Sequence, residues 1–239
     1  MKKNKHKYIV GIDEAGRGAL CGPVSVAAVA IKILDNKRFK NKTILFQSKK
    51  LEALSLLKLQ KTDKFKTSRI FLKDSKKLSF NQRETWFNYL CQRKEIFYSV
   101  AMVSPKVIDK INVTKAANLA ATRAFSRLIK NSKIDNKKIF VKLDGGLYFK
   151  NEKSCLKNLD VKTETIIKGD EKVPAIMMAS IFAKVKRDRM MIKLHKKFPD
   201  YKIDKHKGYG TEKHIKAIKK FGLSSIHRKT FGNFKTKFC

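Results

Sequence analysis

Apolar positions along the chain gather into short runs divided by polar and glycine-bearing stretches. Residues 8–12 (YIVGI) run into a glycine-rich turn. Residues 24–34 (VSVAAVAIKIL) are crowded with β-branched side chains, and 97–103 (FYSVAMV) form a third run. Residues 138–143 (KIFVKL) and the ETII stretch at 164–167 supply two more. Runs this short and this rich in Val and Ile predict buried strands. Other segments have a different period. Residues 116–130 (AANLAATRAFSRLIK) space their apolar side chains as a helix does, and 175–195 (AIMMASIFAKVKRDRMMIKLH) predict a long helix that starts apolar and turns basic. Residues 211–220 predict a further basic helix, with Thr211 as N-cap and Glu212 in its first turn. Strands come first and helices then mix in. This order predicts an α/β fold, a sheet with helices packed on it and a helical C-terminal region. The Lys-rich residues 35–73, which include LEALSLLKL, are expected to be an inserted loop and helix.

Length and charge narrow the class. With 239 residues, 42% of them apolar, the chain can bury a core without staples. Lys and Arg total 57 against 20 acids, a formal net charge of +37 spread along the whole chain. Such a surface suits a polyanionic partner, most often nucleic acid. Lys far outnumbers Arg, however, and Ile, Asn and Phe are also frequent; a compositional bias would produce the same excess, so charge alone decides nothing. Cys21, Cys91, Cys155 and Cys239 lie far apart with no CxxC or CxxH spacing. They read as reduced thiols of a cytosolic protein and not as a zinc site. Residues 19–31 are apolar enough to imitate a signal-peptide core, but they follow Asp13, Glu14 and Arg17, are broken by Gly22-Pro23 and are too short to span a bilayer. A buried strand in a cytoplasmic protein without a membrane segment is the expectation.

Four acids stand apart from the rest. Asp13 and Glu14 follow the first apolar run and precede Gly16-Arg17-Gly18; Asp144 follows KIFVKL and precedes Gly145-Gly146; Asp170 follows Lys168-Gly169 after another apolar run. The first turn is not a Walker A loop, since no Lys-Ser/Thr follows, and it is not GxGxxG, because Cys21 holds the last position. What remains is a backbone with few Cβ atoms beside an arginine, suited to close approach of a phosphate or sugar. A strand sends Asp13 and Glu14 to opposite faces unless the glycines let the backbone turn. Carboxylates gathered at strand ends repel one another unless cations bind. Oxygen-only ligation suits Mg²⁺ or Mn²⁺, and two such ions suit phosphodiester hydrolysis. His206, His214 and His227 have no Ser or Cys nucleophile evident beside them.

Seven stretches then appear in one order: GIDEAGRGALCGPV, DSKKLS, LDGG, KGD, ASIFAKVKRDR, HKGYGT and IHRKTF, from about residue 8 to 231. Together they resemble bacterial-type ribonuclease HII (type 2 ribonuclease H). The resemblance implies a ribonuclease H-like fold, a mixed five-stranded sheet flanked by helices, with residues 1–190 as the catalytic domain and the basic helical residues 191–239 packed on it. It implies hydrolysis of RNA paired with DNA, and cleavage 5′ of ribonucleotides embedded in duplex DNA, leaving 3′-hydroxyl and 5′-phosphate ends. Asp13, Glu14, Asp144 and Asp170 would be the metal-binding and catalytic quartet. Gly16, Arg17 and Gly18 would read the ribose 2′-hydroxyl through backbone groups, and Tyr209 would pack on the sugar at an RNA–DNA junction. Ser75, Lys76 and Lys77 match a phosphate-contacting loop. Ser180, Lys184 and Asp188 share one helix face, as supports or phosphate contacts, with a Lys184–Asp188 salt bridge as the plainer role for Asp188.

Residues 35–73 and the Lys-rich stretch between Asp144 and Asp170 look longer than in most members of that family. The closing GNFKTKFC lacks the Gln-led pattern of a sliding-clamp peptide, so no clamp contact is expected, and the chain is expected to act as a monomer. Ribonuclease HIII is the nearest rival. It should carry an added N-terminal domain and lack both the arginine of the Gly-Arg-Gly turn and the junction tyrosine, whereas here the strand before the acids starts at residue 8 and both residues are present. A non-catalytic basic protein bound to RNA would account for the charge but not for the four acids.

Overall fold

The computed structural model describes residues 7–33, 75–149 and 161–231. Five strands, β1 (Tyr8–Ala15), β2 (Val24–Lys32), β3 (Ile96–Val103), β4 (Ile139–Asp144) and β5 (Lys162–Ile166), form one sheet in the order β3-β2-β1-β4-β5. The first three make an antiparallel meander, and β4 and β5 join parallel beyond β1. This is the mixed five-stranded sheet that the family resemblance implies. The stretch at 35–73 and the Lys-rich residues 150–160 fall outside the described residues.

Seven helices are described: α1 (Phe80–Cys91), α2 (Pro105–Ile111), α3 (Val113–Ser132), α4 (Gly169–Lys172), α5 (Pro174–His195), α6 (Ile203–His206) and α7 (Glu212–Phe221). The expected helices at 116–130, 175–195 and 211–220 are α3, α5 and α7, and Thr211 does cap α7, its side chain accepting from the His214 N–H. The apolar spacing did not single out α1. Its start carries a capping box, in which Ser79 accepts from the Gln82 N–H and the Gln82 side chain accepts from the Ser79 N–H. The S-x-x-Q signature of that box is legible in the sequence.

Helices cover both faces of the sheet, which explains why β1 and β2 are apolar almost throughout. On one face Val10, Ile12, Val26 and Ala28 pack against α3, whose buried Ala117, Ala120, Ala121 and Ala124 let it sit close. The other face holds Ala27 and Val29 against α5 and α1. At Gly11 the strand meets the backbone of α5 itself, and a Cβ there would lie 2.1 Å from the Ala175 carbonyl carbon. Only glycine fits, and the contact sets where α5 lies on β1. A third cluster joins Cys21 and Met191 to Tyr201, Ile203, Ile218 and Ile226. The C-terminal helices therefore share a core with the β1–β2 connection, and α5 itself runs through the expected boundary at residue 190.

Candidate active site

Parallel pairing of β1 with β4 sets Ile12 opposite Leu143, so Asp13 and Asp144 follow at the same end of neighbouring strands. Asp170 comes from the first turn of α4, directly after β5. One carboxylate oxygen from each of Asp13, Asp144 and Asp170 lies within 4.8 Å of the others. A backbone donor helps fix the group: the Gly169 N–H donates to Asp144 Oδ1 at 2.7 Å.

Glu14 obeys the strand alternation and leaves toward the α3 side. Its Oε1 accepts from Arg17 at 3.3 Å, and Arg17 also donates to Thr114 at the start of α3. Its other oxygen, Oε2, is buried and has no hydrogen-bond partner among the described residues. Glu14 thus stands beside the aspartate trio and near Asp144, whose charge it feels.

The electrostatics are those of a cation site. Burial pushes the Asp13 carboxyl well above the ordinary carboxylate range, and the charges of Glu14 and Asp144 push the same way, while hydrogen bonds from Ser180 and the Glu14 N–H oppose them. Burial also raises Glu14, against the pull of Arg17. Asp144 is raised by burial and by the charge of Asp170. Buried carboxylates held this close are costly as anions without a counter-charge. Three oxygen donors within one ion's reach, plus the orphaned Glu14 oxygen, fit a hard divalent ion such as Mg²⁺ or Mn²⁺.

Around the acids the other expected residues divide into two groups. Lys76 donates to Asp170 Oδ2 at 3.0 Å and Lys77 to Glu171 at 2.9 Å, so this loop brings exposed ammonium groups to the edge of the cluster. Lys184 pairs with Asp188 at 2.9 Å, the plainer arrangement, and Arg83 approaches the other Asp188 oxygen. Ser75 and Ser180 are buried, with their hydroxyls 2.8 Å apart, and Ser180 also supports Asp13. Gly18 is exposed and Gly16 is buried at a φ of 86°. The Tyr209 ring is 36% exposed, with Lys184 Nζ 5.5 Å and Arg187 Cζ 5.4 Å from its centroid. It is therefore on the surface, beside the turn, instead of filling the core.

A ribonuclease HII family model matches residues 10–69 and 57–234. Relatives named ribonuclease HII include one from Pelagibacter ubique, 40% identical over 226 residues, covering 94% of this chain and 96% of that protein. Another, from Caldicellulosiruptor bescii, is 39% identical over 95% of this chain and 87% of its own. The chain belongs to the ribonuclease HII family. The ribonuclease HII of Archaeoglobus fulgidus, solved in complex with PCNA, superimposes with a TM-score of 0.60 at 25% identity, over 94% of this chain and 95% of that one. Ribonuclease HII membership makes the chain a metal-dependent hydrolase of the ribonuclease H type, with the sheet and flanking helices of that fold.

Sequence reading did not find every residue that shapes this candidate site. Arg187 and Arg228 are fully buried and bind the backbone around Gly16–Pro23, and His214 and His227 are buried behind the Tyr209 loop. The two arginines lie within stretches that carry the resemblance, but in a chain with 57 Lys and Arg nothing marks them as internal. Among the described residues a second group, Cys21, His214 and His227, also places possible ligand atoms within 4.8 Å of one another. Its imidazole nitrogens are engaged in hydrogen bonds, and burial pushes the Cys21 thiol up to about 12. No helix among the described residues is long and apolar enough to cross a membrane.

Proposed function

We propose that the chain hydrolyses the RNA strand of RNA–DNA hybrids and cuts on the 5′ side of ribonucleotides embedded in duplex DNA. This would serve replication and ribonucleotide excision repair. The reading rests on one observation above others: Asp13, Asp144 and Asp170 bring carboxylate oxygens within 4.8 Å of one another inside a ribonuclease HII frame. Asp13, Glu14, Asp144 and Asp170 would hold two Mg²⁺ or Mn²⁺ ions, which supply an activated water and stabilise the leaving oxygen. In the reaction the water oxygen bonds to phosphorus and the bond from phosphorus to the 3′-oxygen of the preceding nucleotide breaks. A 3′-hydroxyl and a 5′-phosphate result.

The chain's own residues orient the substrate. The backbone of Gly16, Arg17 and Gly18 reads the 2′-hydroxyl, which is the group that separates RNA from DNA. The Tyr209 ring packs on the sugar at the junction. Lys76, Lys77 and Lys184 meet phosphates, with the lysines exchanging their carboxylate partners for the nucleic acid. Ser75 and Ser180 brace Asp13 from below. The chain works as a monomer in the cytoplasm.

The direct test compares two labelled duplexes, one with a single ribonucleotide and one with a continuous RNA strand, each with Mg²⁺ and with Mn²⁺. Cleavage of both, with 5′-phosphate products and none in EDTA, is expected. A protein that binds both duplexes but cuts neither with either metal would overturn the proposal.

A further inference from the structure

Among the described residues Arg187 and Arg228 are the two largest fully buried side chains, and neither is hydrogen-bonded there to a carboxylate. Arg228 donates from Nε to the Gly22 carbonyl at 3.0 Å, from one terminal nitrogen to Arg17 at 2.9 Å and from the other to Gly16 at 2.7 Å. Arg187 donates to the carbonyls of Pro23 at 2.9 Å, Cys21 at 3.3 Å and Lys207 at 3.0 Å. Each guanidinium is thus spent on three backbone oxygens. Burial lowers Arg228 to about 10, with the neighbouring Arg187 charge acting in the same sense, so it remains a cation at neutral pH. Two like charges buried side by side are expensive, and an apolar pair of similar volume would pack more cheaply. A chain that keeps them needs what only a guanidinium supplies, several donors in a fixed planar fork.

The carbonyls they hold explain the need. A trans peptide is planar, and its C=O and the following N–H point in opposite directions. With the Gly16 oxygen drawn inward onto Arg228, the Arg17 N–H must point away from the core. With the Arg17 oxygen drawn inward, the Gly18 N–H must do the same. Among the described residues neither N–H has a backbone acceptor, and Gly18 is exposed with open space around it. Successive outward N–H groups make a concave donor site for an oxygen. Arg187 then ties this turn to the second substrate element. It packs directly on Gly16, where a Cβ would sit 1.8 Å from its Nε, it holds the Lys207 carbonyl, and it lies under the Tyr209 ring.

We infer that Arg228 is a specificity-determining positioning residue: it fixes the Gly16–Gly18 turn with its N–H groups facing the ribose, and Arg187 locks that turn in register with the Tyr209 loop. This rests on the proposed reading of the 2′-hydroxyl by the turn. A chain lacking the fork would keep its carboxylates and its basic surface and would lose the distinction between ribose and deoxyribose.

The test measures binding, with Ca²⁺ in place of the catalytic metal, to two duplexes that differ only in one ribonucleotide. Wild type, Arg228→Lys and Arg228→Ala are compared, the last with and without added guanidinium, and thermal unfolding is followed in parallel. Arg228→Lys keeps a charge but not the fork. Its preference for the ribonucleotide duplex is expected to fall by about tenfold, the weight of one or two hydrogen bonds, with affinity for the all-DNA duplex unchanged. Guanidinium is expected to restore part of the preference in Arg228→Ala. Folded variants that keep the wild-type preference would overturn the inference. So would losses of DNA affinity, preference and melting temperature in step, without rescue. A wild-type chain with no preference for the ribonucleotide would instead show that the turn does not read ribose, and the positioning role would go with it.

Discussion

His214 and His227 face each other Nε2 to Nε2 at 3.2 Å, and both are buried. Their partners assign the tautomers. The Ser224 N–H donates to His227 Nδ1, so the proton of His227 is on Nε2 and points at His214; His214 then donates from Nδ1 to the Tyr209 carbonyl. The chain of bonds requires both rings to be neutral. Burial agrees, lowering each to about 4 from an ordinary 6.5.

An acid dependence follows. Unfolded, these histidines take up protons near pH 6.5; folded, only near 4. The unfolded chain binds more protons between those values, so stability is full above pH 6.5 and falls as the pH drops toward 4. Thermal unfolding in EDTA should show a melting temperature that declines across this window. The buried carboxylates oppose the trend, so the comparison is with His227→Gln. That variant should start lower and decline less steeply. Equal slopes would mean that the pair does not carry the effect.

Asp13→Asn should separate catalysis from stability. Cleavage should fall by at least about a hundredfold, more than loss of a mere supporting partner to a metal ligand costs, while duplex binding survives on lysines and backbone groups. In EDTA the variant should melt at a higher temperature than wild type, because it removes a buried charge repelled by Glu14 and Asp144. Added Mn²⁺ should stabilise wild type and do little for the variant. A lower melting temperature in EDTA would show that the Asp13 carboxylate is already compensated.

The two glycines of the turn should respond oppositely to alanine. At Gly16 the φ of 86° and the contact with Arg187 both resist a side chain. The backbone alone should cost roughly 1–3 kcal/mol, visible in urea unfolding. At Gly18 an added Cβ meets nothing within 4 Å among the described residues. Gly18→Ala should therefore fold as wild type does but cut more slowly, since its methyl projects where substrate approaches. Wild-type activity for Gly18→Ala would remove the turn from the substrate site.

Tyr209→Ala should slow cleavage at a single ribonucleotide by about tenfold or more, given roughly 1–3 kcal/mol for stacking on an aromatic ring. A continuous hybrid should be affected less. The ring is a third exposed and its backbone stays held through His214, so melting temperature should change little. Equal losses on both substrates with a marked fall in stability would assign the ring a structural job.

How much of this was legible in advance depended on the kind of signal. The sheet was, because strands covered on both faces leave continuous apolar runs, as β2 does from Val24. The end of β1 was not. Its hydrophobic pattern stops at Ile12, yet pairing with β2 continues to Ala15 opposite Ser25. Ladder hydrogen bonds hold the two acids in extended backbone whatever their polarity, and this sends Glu14 to the other face from Asp13. The acids themselves could be picked out because each follows an apolar run. Arg187, Arg228 and the histidine pair could not, because burial of a polar side chain depends on distant backbone partners that leave no local pattern.

The pairing of β1 with β4 has a further consequence, in time instead of space. It joins residues 8–12 to residues 139–143, with β2, β3 and α3 between them along the chain. Contacts so distant along the chain close late, after local ones have reduced the loop that must be searched. The meander and α3 can form while Asp13 has only Glu14 as an acidic neighbour. Only when β4 docks does Asp144 arrive beside it and add its charge to that of Glu14. Docking of this strand is the step that a divalent ion should favour most, so the ion should slow unfolding or speed folding according to whether β4 is in place at the barrier.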